Sequence, residues 1–438
     1  MRIKTVTVVG ANGSMGACIS GLFASFGDAK VYMVCRDLEK ARTAIYKAIK
    51  SVRADSIKTN LVPADYSMLA ECVKKSDLVF ESTAENLEIK KDITARIADS
   101  LRVDAVACSG TSGLSITVLA ECLPLSMRGN YFGVHMFNPP YSMTLCEIIP
   151  TKYSSPSLLA ELKKYMQETL LRTIVEVKDS PAFLANRIGF QFINEALQYA
   201  ERYKDNGGID YIDSILGVFS GRSMPPLVTA DFVGLDVHKA IVENVHNNTM
   251  DYENFTFTLP AFVQRLIDEG KLGRKAGEGL YKQVLCENGK KRHLVYDINT
   301  HEYRDRINYA FPFAEEMKQA LKTGDYERAF QILITNRSLE AEICLRFLLN
   351  YIVYALTTAT KVGYNLASAD DVMAMGFNWC PPQALIQAFS LVTNVRQLLK
   401  DRLPTEIIAA VDIDVLLSRV ERSKYDYRPY FKSNRQGV

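Results

Sequence analysis

One loop near the start of the chain restricts the fold more than anything after it. Gly10-Ala11-Asn12-Gly13-Ser14-Met15-Gly16 stands directly between a β-branched run over 4–9 (KTVTVV) and a helical pattern over 16–26. A strand that turns sharply into a helix leaves the first-turn N–H groups pointing outward. Glycines there let a pyrophosphate approach those groups closely. Such a loop alone is a weak signal, and its place after the first strand of a βαβ unit gives it weight.

The surroundings agree. Short apolar strands are predicted over 29–34 (AKVYMV), 77–81 (DLVFE) and 105–108 (AVAC), with helical patterns over 37–52 and 87–101. Strands apolar on both faces and separated by helices make a parallel, doubly wound sheet. A strand ending at His135 and two more over 144–149 and 173–177 close the region. The expectation is an α/β Rossmann-type domain over 1–180. From Asp179 the apolar period becomes three and four, which predicts an all-α helical domain over 181–283. A polar, strand-poor connector over 284–337 and a second helical domain over 338–438 follow. Segments 186–232 and 345–389 share an order of helix, helix, glycine-containing turn and Pro-Pro helix start, so the second helical domain reads as a degenerate repeat of the first.

The second strand qualifies the cofactor. An NAD-binding domain usually ends that strand on Asp or Glu, which accepts hydrogen bonds from the adenosine ribose hydroxyls. Here the strand ends Val34-Cys35-Arg36-Asp37. Losing the carboxylate and gaining a guanidinium suits a 2′-phosphate. Asp37 remains a candidate for the ribose, so NAD or NADP is expected, with the balance toward NADP. The glycine spacing is also one residue longer than the usual G-x-G-x-x-G.

Composition removes other classes. Lys plus Arg total 52 against 50 for Asp plus Glu, a net of +2, too weak a field for nucleic acid or an anionic membrane. Nine cysteines without a C-x-x-C pair argue against a zinc ribbon, and no metal site is expected. The opening segment runs into a strand rather than a secretory stretch, and no window approaches about 18 uninterrupted apolar residues. The expected compartment is the cytoplasm.

Five histidines are present. His238 and His246 on a polar helix, and His293 and His301 in the connector, read as surface residues. His135 ends an apolar strand in Gly133-Val134-His135-Met136-Phe137-Asn138-Pro139-Pro140. Glu147 lies inside the next apolar strand, Leu145-Cys146-Glu147-Ile148-Ile149, where a lone charge is expensive. The Asn-Pro-Pro turn would bring it back beside His135. A carboxylate there fixes the imidazole tautomer and stabilises the imidazolium once a proton is taken. Beside a nicotinamide, such a histidine would take a hydroxyl proton as the C–H hydride leaves; a purely structural ion pair is the other reading. Ser109-Gly110-Thr111-Ser112 follows a strand and Asn186 opens a helix; by residue type alone each is a cap or turn residue before it is a ligand.

Taken together, the motifs resemble the 3-hydroxyacyl-CoA dehydrogenase family over residues 4–282. They are Glu85-Asn86-Leu87 with Lys90, SGTS at 109–112, HMFNPP at 135–140, LCEII at 145–149, FLANR at 183–187 and GRKAGEGLY at 273–281. The resemblance implies interconversion of L-3-hydroxyacyl-CoA and 3-ketoacyl-CoA with NAD(P), as in fatty acid β-oxidation. It implies His135 as general base, Glu147 as its orienting partner, and Ser112 and Asn186 as hydrogen-bond partners of the substrate oxygen. It also implies that Gly10, Gly13, Ser14, Met15 and Gly16 hold the dinucleotide. Cys35 and Arg36 would stand at its adenosine end, and Glu85, Lys90, Asn138 and Lys275 would line its nicotinamide end. Gly110 in place of the family's Asn, Cys35 in place of the acid, and the longer turn bear on cofactor choice more than on the reaction.

HMFNPPY is also similar to a related branch that includes lambda-crystallin and gulonate dehydrogenase. A free hydroxy acid as substrate is therefore one alternative, and a non-catalytic dinucleotide-binding protein is another. LVYDINTHEYR at 294–304 and GFNW at 376–379 resemble the dehydrogenase portion of dehydrogenase–hydratase fusions, which carry two helical copies. On that resemblance the chain is the dehydrogenase half standing alone, with no recognisable counterpart of Asn186 in its second copy. An acyl-CoA partner, no nucleic acid, no membrane, and a monomer or homodimer complete the expectation.

Overall fold

The β-branched runs become strands and the alternating segments become helices. The chain opens on β1 (Thr5–Val9), turns into α1 (Ser14–Ser25) and returns as β2 (Lys30–Cys35). Then come α2 (Leu38–Val52), β3 (Leu61–Asp65), α3 (Leu69–Lys75), β4 (Leu78–Glu81) and α4 (Leu87–Ala98). β5 (Val106–Ser109), α5 (Ile116–Ala120), β6 (Tyr131–Met136), β7 (Leu145–Ile149), α6 (Pro156–Lys164) and β8 (Thr173–Glu176) follow. In this computed structural model, which describes residues 2–286, 289 and 291–433, these strands form one sheet in the order β3-β2-β1-β4-β5-β6-β7-β8.

β1 to β6 run parallel, as helical crossovers require, and β7 runs antiparallel to β6 because only a short loop joins them. The core sets Val6, Val8, Val31, Met33, Phe80 and Phe132 of the sheet against Ile19, Leu22 and Phe23 of α1. Ala41, Ala44 and Ala48 give α2 a small-residue face, and a Cβ on Gly21 would lie 2.9 Å from the Ala48 carbonyl, so α1 and α2 pack backbone to backbone. β3 is an element the sequence does not announce. It contains Pro63, which cannot donate to a ladder, and it is tolerated because β3 is the edge strand.

The chain divides into two compact units, Met1–Phe183 with Val362–Tyr364, and Leu184–Lys361 with Asn365–Val438. The second unit begins with α7 (Ala185–Arg202), α8 (Ile209–Ile215), α9 (Pro226–Val233), α10 (Leu235–Asn248) and α11 (Ala261–Asp268). The stretch expected to be strand-poor instead holds an antiparallel sheet of β9 (Tyr281–Leu285), β10 (Lys291–Tyr296) and β11 (Tyr303–Asp305). Only Val295 and Tyr296 of its strands are buried, so no apolar alternation marked them. Two helices, α12 (Pro312–Lys322) and α13 (Tyr326–Thr335), lie in the same stretch.

The two segments compared as a repeat share one local arrangement. α14 (Leu339–Val362), α15 (Ala367–Val372) and α16 (Pro382–Ser390) answer to α7, α8 and α9. Asp213 of α8 accepts from the first-turn N–H groups of Leu227 (2.8 Å) and Val228 (3.0 Å) in α9. Asp370 of α15 accepts from Gln383 N (2.9 Å) in α16. Each also accepts a hydroxyl, from Tyr281 and Ser423 respectively, and burial pushes each carboxyl up to about 6. The two segments differ in length, 47 residues against 45, and the second has no recognisable counterpart of Asn186. α14 is also long and apolar enough to cross a bilayer, with mean hydropathy 1.4, yet 89% of that window is buried inside the fold.

His238 corrects the sequence reading. It is fully buried, and its Nε2 lies 2.9 Å from Asn194 Oδ1. The Asn194 amide donates to the Thr256 and Thr258 carbonyls, so Oδ1 is the acceptor and Nε2 carries the proton. Burial pushes this imidazole down to about 3. The folded chain therefore keeps His238 neutral while the unfolded chain protonates it below about 6.5. Stability from this residue is lost as pH falls from there toward 3. Urea midpoints at pH 7 and pH 4.5 should differ less for His238→Gln than for wild type; equal differences would remove His238 from the acid limb.

Candidate active site

The carboxyl ends of parallel strands are where open α/β sheets bind ligands, and the crevice opens where strand order reverses, between β1 and β4. The glycine loop lies there. Gly10 has φ +83°, and a Cβ on it would sit 2.4 Å from the Ser82 carbonyl; one on Gly16 would sit 2.4 Å from the Gly10 carbonyl. Packing alone explains those two glycines. Gly13 is different, because a Cβ there would meet nothing nearer than 3.4 Å. It is the N-cap of α1, which has no side-chain cap and no acidic residue in its first turn. Ser14 is exposed and Met15 half-buried. An uncapped helix start of this kind suits a pyrophosphate, so the residues present fit a dinucleotide.

At the end of β2, Cys35 is buried, its thiol accepts the Asn12 N–H, and burial pushes it up to about 11. Arg36 is exposed. Asp37 caps α2, accepting from Lys40 N at 2.8 Å and pairing with Lys40 Nζ at 2.8 Å. Those Lys40 bonds hold its carboxyl below the ordinary value.

At the end of β4 stands a group the sequence reading missed. Glu81 is fully buried and takes Lys90 Nζ on both oxygens, at 2.9 and 3.0 Å. Ser109 Oγ (2.6 Å), Thr83 N and Thr83 Oγ1 (both 2.6 Å) donate to it as well. Burial alone would raise this carboxyl; the Lys90 ammonium and the hydroxyl donors overcome that and hold it below its ordinary value. Lys90 is 1% exposed and reaches Glu85 Oε2 at 3.5 Å. Glu85 Oε1 accepts from Thr111 Oγ1 (2.5 Å) and Ser112 N (2.8 Å). Thus buried Lys90 and exposed Glu85 sit in one network that holds the backbone at Ser112. Asp179 anchors the far side of the same loop by accepting from Ser115 Oγ, Ile116 N and Thr117 N.

His135 and Glu147 are register partners on β6 and β7. Nδ1 lies 2.7 Å from Glu147 Oε2, with His135 4% exposed and Glu147 fully buried. Rings of Phe137 and Phe183 stand 4.5 and 5.6 Å from the imidazole. Ala182 and Phe183 take left-handed φ of 60° and 52°, a strained pair immediately beside the histidine. Asn138, exposed in the turn that joins β6 to β7, precedes a cis peptide to Pro139. All of these belong to the first unit. Asn186, at the start of α7 and 6% exposed, and Lys275, whose Nζ lies 2.5 Å from Asp236 Oδ1, belong to the second.

The family model for the NAD binding domain of 3-hydroxyacyl-CoA dehydrogenase matches residues 5–180, and that for its C-terminal domain matches 183–283. The chain belongs to the 3-hydroxyacyl-CoA dehydrogenase family. It is 29% identical over 322 residues to a Bacillus subtilis protein named Probable 3-hydroxyacyl-CoA dehydrogenase, covering 73% of this chain but 39% of that one. It is 31% identical over 294 residues to the mitochondrial hydroxyacyl-coenzyme A dehydrogenase of Sus scrofa, covering 64% of this chain and 91% of that one. The structure of 3-hydroxybutyryl-CoA dehydrogenase from Escherichia coli K12 matches with a TM-score of 0.67 over 96% of this chain and 98% of that one. At 19% identity that likeness shows a shared fold, and it extends beyond residue 283, where the family models stop. Family membership places the chain among NAD-dependent oxidoreductases.

Proposed function

We propose that the chain interconverts an L-3-hydroxyacyl-CoA and its 3-ketoacyl-CoA by hydride transfer with a nicotinamide dinucleotide, His135 acting as general base and acid. The buried 2.7 Å bond from His135 to Glu147 carries this reading. A carboxylate only accepts, so Nδ1 bears the proton and Nε2 offers the lone pair. When His135 takes the C3 hydroxyl proton, the new imidazolium charge is already faced by Glu147, and no reorganisation is needed. In the reductive direction Nε2 returns the proton to the C3 oxygen. Ser112 and Asn186 would hydrogen-bond that oxygen, as in the family the chain resembles. When bound, the nicotinamide supplies the hydride acceptor or donor. The uncapped start of α1 would hold the pyrophosphate, and the Glu81–Lys90–Glu85 network would fix Glu85 and the Ser112 backbone at the nicotinamide end. In the second helical copy, 338–438, no counterpart of Asn186 is recognisable, and that copy is proposed as structural.

Acyl-CoA is favoured as substrate by the relatives' names, and NADP over NAD by the absence of a carboxylate at position 35. Acetoacetyl-CoA and free acetoacetate, each with NADPH and NADH, form the test. Rapid reduction of the thioester with NADPH is expected. Equal rates on the free acid would favour a hydroxy-acid dehydrogenase, and a strong preference for NADH would overturn the NADP reading.

A further inference from the structure

We infer that the second helical copy positions Asn186, with Tyr354 and Asp251 acting on Arg187, so that these three are positioning residues for the reaction. The inference rests on the reading above, in which Asn186 holds the substrate oxygen. It gives the copy beyond residue 283 a stated task.

A polar ladder joins the first helices of the two copies. Arg187, Gln191 and Glu195 recur every four residues on α7, and Arg346, Asn350 and Tyr354 do so on α14. Each set therefore lies along one face of its helix. The two sets meet in antiparallel order. Arg346 donates to Glu195 Oε1 at 2.8 Å, and Asn350 Nδ2 donates to Glu195 Oε2 at 3.2 Å. Gln191 Nε2 donates to the same Oε2 at 3.1 Å. At the other end Arg187 Nη2 and Nε donate to Asp251 Oδ2 at 2.7 and 3.2 Å, and the Tyr354 hydroxyl donates to that oxygen at 2.8 Å. Asp251 opens the segment 251–258, whose Thr256 and Thr258 carbonyls are held by Asn194 of α7. Rings of Tyr252 and Phe257 from that segment stand 5.9 and 6.3 Å from Tyr354.

Burial makes such a ladder costly as a mere fastening. The Arg187 and Asp251 side chains are 6% and 2% exposed, and Glu195 and Asn350 are buried. Burial alone would raise the Asp251 carboxyl; the Arg187 guanidinium and the Tyr354 hydroxyl overcome that and hold it below its ordinary value. Apolar side chains of similar volume would fasten two helices at least as strongly, because buried charges lose their hydration. What the directional bonds add is one fixed orientation. Orientation matters most at the Arg187 end, since Arg187 follows Asn186 in the first turn of α7. Leu184 precedes that helix and provides no side-chain cap, which leaves the turn to ties such as Arg187–Asp251.

Reduction of acetoacetyl-CoA would be measured, per folded molecule, in Asp251→Asn, Tyr354→Phe and Asn186→Ala, and in each of the first two combined with Asn186→Ala. Asp251→Asn should lower kcat by about tenfold or more, the scale of a small misplacement of a group that orients substrate. Tyr354→Phe keeps the ring and the Arg187–Asp251 pair, so it should fold, and its kcat should fall at least about threefold. In the Asn186→Ala background neither change should cost anything further, because both act through that side chain. A merely structural role would cost the same in both backgrounds. Unchanged kcat in Tyr354→Phe, or losses that add in full to that of Asn186→Ala, would overturn the inference and leave the role of Asn186 standing. Should Asn186→Ala itself turn over normally, the role of Asn186 falls and the inference falls with it.

Discussion

His135→Gln should lower turnover by at least about a hundredfold, the low end of what a positioned general base contributes. Glutamine is close in size, and its amide can donate to Glu147 as Nδ1 does, so the strand pair keeps its buried carboxylate satisfied. What the amide lacks is a basic nitrogen. Dinucleotide affinity, measured by titration in the absence of acyl substrate, should be unchanged, because no dinucleotide contact is assigned to His135. Steady-state rates in both directions check the claim. Full activity in the variant would remove His135 from the chemistry.

Glu81→Gln should give the largest loss of stability of any single change considered. It leaves the Lys90 ammonium, 1% exposed, with Glu85 alone, and that carboxylate is 3.5 Å away and 39% exposed. Breaking a buried pair by removing one partner costs about 3–5 kcal/mol. Urea unfolding measures it, and a loss below about 1 kcal/mol would mean the pair is not electrostatically buried. Adding Lys90→Met should restore most of the stability, since apolar replacement of a buried pair is commonly neutral or better. Dinucleotide affinity should not recover with it, because Glu85 would have lost its ammonium partner and kept only Thr111 and Ser112.

The parts of the fold legible in the sequence are those where burial forces a pattern. Strands enclosed on both faces must be apolar runs, which is why β1, β2, β4 and β5 were evident. β3 was hidden by Pro63, a residue that excludes a central strand and says nothing against an edge. β9 to β11 were hidden because strands that bury only Val295 and Tyr296 need no alternation.

The same logic separates the site residues. His135 and Glu147 could be paired from sequence because a carboxylate inside LCEII must have a partner and a Pro-Pro turn returns the chain. Glu81 was missed because it reads as the exposed end of a strand. A signal did exist in Lys90, which shares the buried stripe of α4 with Ile93, Thr94 and Ile97, so a counter-charge had to lie nearby. His238 had the same signal, sharing the apolar stripe of α10 with Leu235, Ile241, Val242 and Val245. In both cases a polar residue at a core position was the informative observation. The Asn12–Cys35 contact had no such signal, since nothing in the spacing relates a loop residue to a strand end.

Hydride transfer at C3 is the central claim, and an isotope reads it directly. The chain would be given L-3-hydroxybutyryl-CoA carrying deuterium at C3, with oxidised dinucleotide, and the reduced dinucleotide examined by mass spectrometry. Deuterium should appear at C4 of the nicotinamide in step with formation of acetoacetyl-CoA. Deuterium that stays in the acyl chain while the dinucleotide remains oxidised, or that is released to water, would contradict the reaction assigned to His135 and Glu147.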